Sequence, residues 1–551
     1  MILKFKFDYN SNNNTLLYFL NKIAKKSNLE YKITKTNFIN LYIEGDEEQL
    51  TQFSSLLSKY LPMSIFFKDN TAEVVPQIGD EQSVVFENEE INLPFCSSCL
   101  EKIQDTTSTN FYNPFVSCDI CGTTCDVKEL KLLDFNKEKI EYTNYKDLFS
   151  KVASLINDEK SIKIKTRSSA FVFKKMTKTE HDVKVLCTNL ADISKVFVAS
   201  KAEVVALASI EKPILSLRVN EVFKQKNILS QKYVDVRFVN DLILFLLGKE
   251  LEKFEIDFLV YDTNSSYDYE LTYDEELKPL DIIKLKVIDN KNLILESSSY
   301  SKDLDTIYSK FDEPSKGHFM VLLHEHNFYN KSILNFYSST KKSDNICLYS
   351  KDIEGLLDIV NYSLPNSIGE IFEILKKDKT ASRLIENYKN KYPEIYNNAL
   401  NYDISSLKVN SIYSYWKIVA VVLGFTSKIE EQNIVLNNAM TCVLDKGPRI
   451  DYKLKQSDKI FNKEFLLHKL IQSGMSFKLA GVDDNTLALG YIESFAHYVA
   501  TLVDDINNEV ELDGVSLTGD IFANELISKL VHKSITKNFK IYYNKDFVIQ
   551  K

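Results

Sequence analysis

Four cysteines stand in two C-x-x-C pairs, Cys96 with Cys99 and Cys118 with Cys121, separated by 18 residues. Each C-x-x-C turn aims two thiolates at one point, and two turns complete a tetrahedron. The spacing C-x2-C-x18-C-x2-C therefore reads as a structural zinc site in a reducing compartment. The bland alternative is four unrelated thiols, and the paired spacing argues against it. Four thiolates close the coordination shell, so this site shapes a surface and leaves no open position for a substrate. Cys125, four residues further on, is a spare thiol.

A second group is cationic. Lys163, Lys165, Arg167, Lys174, Lys175 and Lys178 fall in one short stretch. Alternate residues of KIKTR share one side of a strand, which would align Lys163, Lys165 and Arg167 as a cationic stripe for phosphates. The competing reading is an ordinary solvated strand face. His324 and His326 form an H-x-H in LLHEHNF. On a strand they would share a face and chelate a metal, but with no third ligand in view a half-exposed strand is the simpler reading. His497 sits in an apolar run at helical spacing and reads as a satisfied, partly buried histidine.

Several elements must position these groups. At 551 residues the chain exceeds one core, so three or four domains are expected. Residues 1–75 read as strand, helix, two strands, helix and a last strand at MSIFFK, the ferredoxin-like plan. Residues 76–92 are polar and acidic and suit a linker. The cysteine segment follows at 90–135, then a mixed α/β domain at 145–270, with TNSSYDYELTYDEEL (263–277) as a polar joint or hairpin. Beyond 315 the pattern is mostly helical, with strands at FMVLLHE, NICLYS, GVSLTG and FKIYYN. The fold class is thus α/β and α+β multidomain.

Composition excludes several classes. A net charge of −9 argues against a general nucleic-acid binder. The longest apolar runs, such as LILFLL, fall well short of a membrane span, and the polar N-terminus shows no signal peptide. A soluble cytoplasmic protein is expected. Glycine is scarce, 14 in 551, about 2.5% against a usual ~7%, and there is no GxxxxGK[ST] or GxGxxG phosphate loop.

The order of these parts, with FYNPFVSCDICG (111–122) at its centre, resembles the HypF family, carbamoyltransferases of nickel–iron hydrogenase maturation. KSIKIKTRSSAF, SIEKPILSLRV, YWKIVAVVLGFTSKIEEQ, IESFAH and SLTGDIFAN are softer echoes of that family. The resemblance implies an acylphosphatase-like domain (1–75), a zinc knuckle (90–135), a YrdC-like domain (145–270) and a Kae1-like domain (315–551). It further implies ATP phosphates near Lys163, Lys165 and Arg167, and hydrogenase maturation proteins or a hydrogenase subunit as partners. Departures from the family are as informative. The first turn, NSNNNTLL, lacks the arginine that would hold a phosphoryl group, and asparagine amides do not replace its charge. An expected histidine cluster is missing upstream of Tyr415. The second glycine of the terminal turn is Asp520, where a carboxylate would repel phosphate. GVDDNTLALG (481–490) resembles a Gly-rich terminal motif but precedes that turn, as a coincidence or a rearrangement. The reading is an accessory or scaffold protein derived from a HypF-type carbamoyltransferase. The alternatives are an active carbamoyl-adenylate-forming enzyme and a zinc-ribbon RNA binder.

Overall fold

The computed structural model describes residues 1–551 except 87–92, 124, 126, 178–182, 230, 232, 281, 289–291, 296–299, 354, 456–460, 536 and 546–551. Lys178, one of the cations singled out above, lies outside the described residues. The chain forms two compact units, Met1–Leu295 and Glu296–Lys551.

The first unit opens with strand Ile2–Tyr9, helix Thr15–Ser27, strands Glu30–Lys35 and Ile39–Glu44, helix Glu47–Tyr60 and strand Phe67–Val75. The first, second and third strands alternate or bury apolar side chains, and Phe5, Phe7, Ile33, Leu41 and Ile43 meet the inward faces of both helices. All pairings are antiparallel, and the first strand sits between the third and the last. This is the ferredoxin-like plan. The last strand starts at Phe67, not at Met63. It is an edge strand with a polar, exposed sequence, FKDNTAEVV, so it lacks the alternation that marks a half-buried strand, and charge suits an unpaired edge. The expected linker also departs from expectation. Val84 N donates to Ile33 O, and the Phe86 ring meets Tyr18 edge-on, so residues 83–86 return to the sheet.

The α/β part is one mixed sheet of eleven strands. Ile162–Lys165 and Ala170–Lys175 form a hairpin within it. Tyr269–Thr272, in the segment expected as a joint or hairpin, is a sheet strand between Ile162–Lys165 and Lys131–Asp134. Leu271 supplies the reason: it is fully buried, while the polar residues around it occupy the other face and the strand ends. Helices Tyr145–Asn157 and Leu242–Leu251 pack together, the second capped by the Asp241 carboxylate on Ile243 N.

In the second unit a six-stranded sheet runs Lys463–Glu464, Leu356–Asn361, Asn345–Tyr349, Ile333–Tyr337, Gly514–Thr518, Ile541–Tyr542. Ile333–Tyr337 is antiparallel to Asn345–Tyr349 and parallel to Gly514–Thr518. Ile333–Tyr337 and Leu356–Asn361 were not anticipated. FMVLLHE, expected as a strand, is part of helix Pro314–Glu325. Pro314 at its first turn preorganises it, and Phe319, Leu322 and Leu323 recur at helical spacing to pack on Phe328, Ile333 and Cys347. Among the described residues no helix is long and apolar enough to cross a membrane.

Candidate metal centre and anion sites

Cys96 caps helix Ser97–Gln104 and Cys99 lies in its first turn. The second pair is held by a tight turn in which Cys118 N donates to Thr123 O and Gly122 takes φ +70°. Cys121 Sγ lies 3.1 Å from Thr123 Oγ1. A hydrogen bond of 2.9 Å from Lys102 to Ser117 O ties the helix to this turn. The aromatic run before it anchors the knuckle. Tyr112 donates to Glu250 at 2.7 Å, and Phe115 meets Tyr273 edge-on at 5.3 Å.

The four thiols are buried, with all sulfur atoms within 4.8 Å of one another. Cys96 lies 3.8 Å from Cys99 and 3.6 Å from Cys118, and Cys99 lies 3.6 Å from Cys121. A Zn–S bond of about 2.3 Å in tetrahedral geometry places sulfurs about 3.8 Å apart, whereas a disulfide would need about 2.05 Å. The donor set and spacing therefore fit a four-thiolate metal such as zinc. Without a cation, neighbouring thiols shift one another's proton affinity. Hydrogen bonding to Cys118 pushes Cys96 and Cys99 up, while the bond to Cys121 pulls Cys118 down. A divalent cation resolves this conflict by taking all four as thiolates.

Lys163, Lys165 and Arg167 emerge near one another but meet different partners. Lys163 lies 3.6 Å from Glu270 and over the Tyr267 ring. Lys165 donates to the carbonyls of Tyr273 and Glu275 at 2.8 and 3.1 Å. Lys174 and Lys175 bind Ser265 and Asn157. Arg167 alone of these lines a cleft, together with Asp241, Tyr273 and Lys278. Its backbone N donates to the Asp241 carboxylate at 3.0 Å and its guanidinium reaches Leu93 O at 3.5 Å. The expected stripe is thus divided, because tertiary neighbours supply Glu270 and two carbonyls that the local sequence does not show. Asp241, buried at the helix start, was not singled out; the N-cap position before LILFLL was its available signal.

At residues 10–15 the chain spends backbone donors on its own groups. Asn10 N donates to Phe66 O, Asn13 N to Ser11 Oγ and Thr15 N to Asn13 Oδ1. On the neighbouring strand Asn40 is buried and donates to Thr34 Oγ1 at 3.3 Å.

In the second unit, the parallel strands Ile333–Tyr337 and Gly514–Thr518 end side by side. Thr340 N and Oγ1 both donate to the Asp520 carboxylate. Asp344 accepts Ser338 Oγ, Ser339 N and Ile412 N. Gly519 takes φ +92°, and a Cβ there would fall 2.1 Å from Ser338 O. Asn524 caps helix Glu525–Ile535 by accepting Leu526 N and Ile527 N.

The histidines are placed differently from expectation. His324 ends a helix and His326 follows it. His324 Nδ1 meets Tyr329 OH, whereas His326 Nε2 meets Tyr543 O, so the two rings diverge and no shared chelate forms. A helix turns about 200° in two residues, which separates i from i+2. His497 is exposed on helix Asp484–Glu509, not partly buried. GVDDNTLALG is a helix junction: Gly481 has φ +86° after helix Leu467–Leu479, and Asp483 caps the next helix through Thr486 N.

No family model matches the chain. Protein HydE of Wolinella succinogenes is 24% identical over 545 residues, covering 95% of this chain and 94% of HydE. Probable carbamoyltransferase HypF of Methanocaldococcus jannaschii is 29% identical over 123 residues, 20% of this chain and 16% of that protein. Full-length HypF in its phosphate- and nucleotide-bound form superposes with a TM-score of 0.63 at 12% identity, over 100% of this chain and 96% of HypF. HypF of T. kodakarensis gives 0.64 at 14% identity over the same shares. The chain has a HypF-like fold along its whole length.

Proposed function

We propose that this chain serves nickel–iron hydrogenase maturation as a cytoplasmic accessory or scaffold protein, derived from a HypF-type carbamoyltransferase and lacking much of its catalysis. Similarity to HypF over the entire fold is the observation that carries this reading. Within it, residues 1–75, 90–135, 145–270 and 315–551 correspond to acylphosphatase-like, zinc-knuckle, YrdC-like and degenerate Kae1-like domains. Zinc bound by Cys96, Cys99, Cys118 and Cys121 is structural. The partners are hydrogenase maturation proteins or a hydrogenase subunit.

Two local arrangements support the loss of catalysis. Asp520 brings its own negative charge to Thr340 N and Oγ1, which opposes a phosphate in that turn. Residues 10–15 offer no guanidinium, and three of their amides are committed within the chain. Hydrogenase activity in a strain without this gene, with the gene restored as control, tests the role. Loss and recovery of activity are expected; unchanged activity in a strain with no second HypF-type protein would overturn it.

A second reading is favoured by Arg167, which lines a cleft together with Lys278 and Asp241. There carbamate, released from carbamoyl phosphate by hydrolysis to inorganic phosphate, attacks the α-phosphorus of ATP, and pyrophosphate leaves to give a carbamoyl adenylate. Pyrophosphate exchange into ATP, dependent on carbamoyl phosphate and lost in Arg167→Gln, would establish it.

A further inference from the structure

The bonds that tie the ferredoxin-like part to the rest of its unit gather on one short stretch, residues 59–65, at the end of its second helix and the turn towards its last strand. Two surfaces receive this stretch. One is the loop 209–213 that leads into strand Ile214–Val219. Ile210 N donates to Met63 O at 2.8 Å. Ser64 Oγ and Ile65 N donate to the two carboxylate oxygens of Glu211, the second at 3.1 Å. The other surface is the start of helix Ser97–Gln104, where Ser97 Oγ donates to Lys59 O at 3.3 Å and Glu101 meets Lys59 Nζ at 3.1 Å.

Both surfaces adjoin one member of the thiol set. Cys96 caps the helix that carries Ser97 and Glu101. Its other neighbour, Phe95, is buried, with its ring 5.8 Å from that of Phe245 and 5.4 Å from the ammonium of Lys212. Lys212 directly follows Glu211. Its ammonium reaches Ala208 O at 2.8 Å, and its carbonyl accepts Arg237 Nε at 2.9 Å. The residue before Cys96 thus packs on the Glu211 loop, and the residue after it bonds the second helix of the ferredoxin-like part. Fixing Cys96 fixes both.

The junction is balanced rather than strongly held. Glu211 and Lys212 are both buried. Burial pushes the carboxyl up and pulls the ammonium down to about 8. A buried carboxylate is tolerated only while donors reach it, and Ser64 and Ile65 belong to the ferredoxin-like part. The Lys59–Glu101 pair is half exposed and adds little. Separation loses these hydrogen bonds but rehydrates the carboxylate, so a modest change at Cys96 suffices to shift the equilibrium.

We infer that the metal knuckle is a latch for the ferredoxin-like part: with the metal bound, Phe95 and Ser97 hold residues 59–65 against the Glu211 loop, and loss of the metal releases them. The role goes beyond the structural one proposed for the zinc, and it rests on the four thiols being a metal site.

Hydrogen exchange of the full chain, zinc-loaded and after chelation, tests the latch. Chelation is expected to speed exchange at Ile65 and Ile210, whose amides cross the junction, by about tenfold or more. Strands Ile2–Tyr9 and Ile214–Val219 should keep the protection they have with zinc. Coupling between two equilibria is reciprocal. Glu211→Ala, which touches no thiol, should therefore weaken zinc by about fivefold to tenfold in competition with a chromophoric chelator, and should speed exchange at Ile65 with zinc bound. Ser64→Ala removes one bond of the junction and should do both to a smaller degree. Exchange at Ile65 and Ile210 indifferent to zinc, a rise shared by both strands, or wild-type zinc affinity in both variants would each overturn the latch. A chain that takes up no zinc removes the metal assignment and the latch together, whereas one zinc per chain without these effects removes the latch alone.

Discussion

At the scale of single residues, the cysteines and the buried carboxylates make separable demands. Four thiols packed at 3.6–3.8 Å present a donor set of the size a tetrahedral cation takes. Cys96→Ser or Cys118→Ser should cut bound zinc from about one per chain to a small fraction and lower soluble yield, because metal binding and local folding are one equilibrium. Metal analysis of purified protein checks this, and unchanged stoichiometry in both variants would refute the assignment. Asp344 behaves oppositely to a salt-bridged carboxylate. Part of the residue reaches solvent, yet burial of its carboxyl pushes the pKa from 3.8 up to about 7. The native state then holds the proton more tightly than the unfolded chain. Its contribution is fully present below about pH 4 and is lost as pH rises to about 7. Asp344→Asn should flatten that dependence, narrowing the stability gap between pH 5 and pH 7.5 by about 1–3 kcal/mol in urea titrations, after allowance for solvent screening. An identical gap in wild type and variant would show that Asp344 titrates normally.

At the scale of elements, strand ends and helix starts do most of the positioning. Gly519 lets the chain leave strand Gly514–Thr518 against the backbone of Ser338, a position a side chain cannot occupy. Gly519→Val combines a left-handed backbone with a clash on a carbonyl, and should cost about 2–4 kcal/mol. It should also free Thr340 from Asp520, visible as faster amide exchange in residues 338–342. Wild-type exchange and stability in this variant would contradict the account. The two carboxyl-terminal strand ends meet only because the strands are parallel neighbours, and nothing local to either sequence fixes that pairing. The helix Pro314–Glu325 shows the reverse case. Its apolar run is too continuous to choose between strand and helix by periodicity, and packing on Ile333 and Cys347 decides it.

At the scale of the whole molecule, each unit has its own buried core. Fragments comprising 1–295 and 296–551, expressed separately, should each unfold cooperatively, with zinc retained only by the first. A fragment that stays unfolded by circular dichroism would show that the units depend on one another. A HypF-like fold spans both units, so a functional deficit traced to one fragment would locate the retained role.

The sequence by itself determined which four thiols cluster, since C-x-x-C spacing is a local geometric code and the two turns needed only to meet. It also determined the ferredoxin-like order, where alternation and helical periodicity are strong, and the absence of a guanidinium from residues 10–15. The HypF resemblance was legible from FYNPFVSCDICG and the order of parts. Tertiary structure alone decided the rest. It neutralised Lys163 with Glu270 and turned Lys165 to carbonyls, and it left Arg167 on a cleft with the knuckle. It also brought Asp520 to Thr340 across 180 residues. Electrostatic partners and burial are long-range properties, set by which elements become neighbours, whereas spacing and periodicity are local and survive in the chain as written.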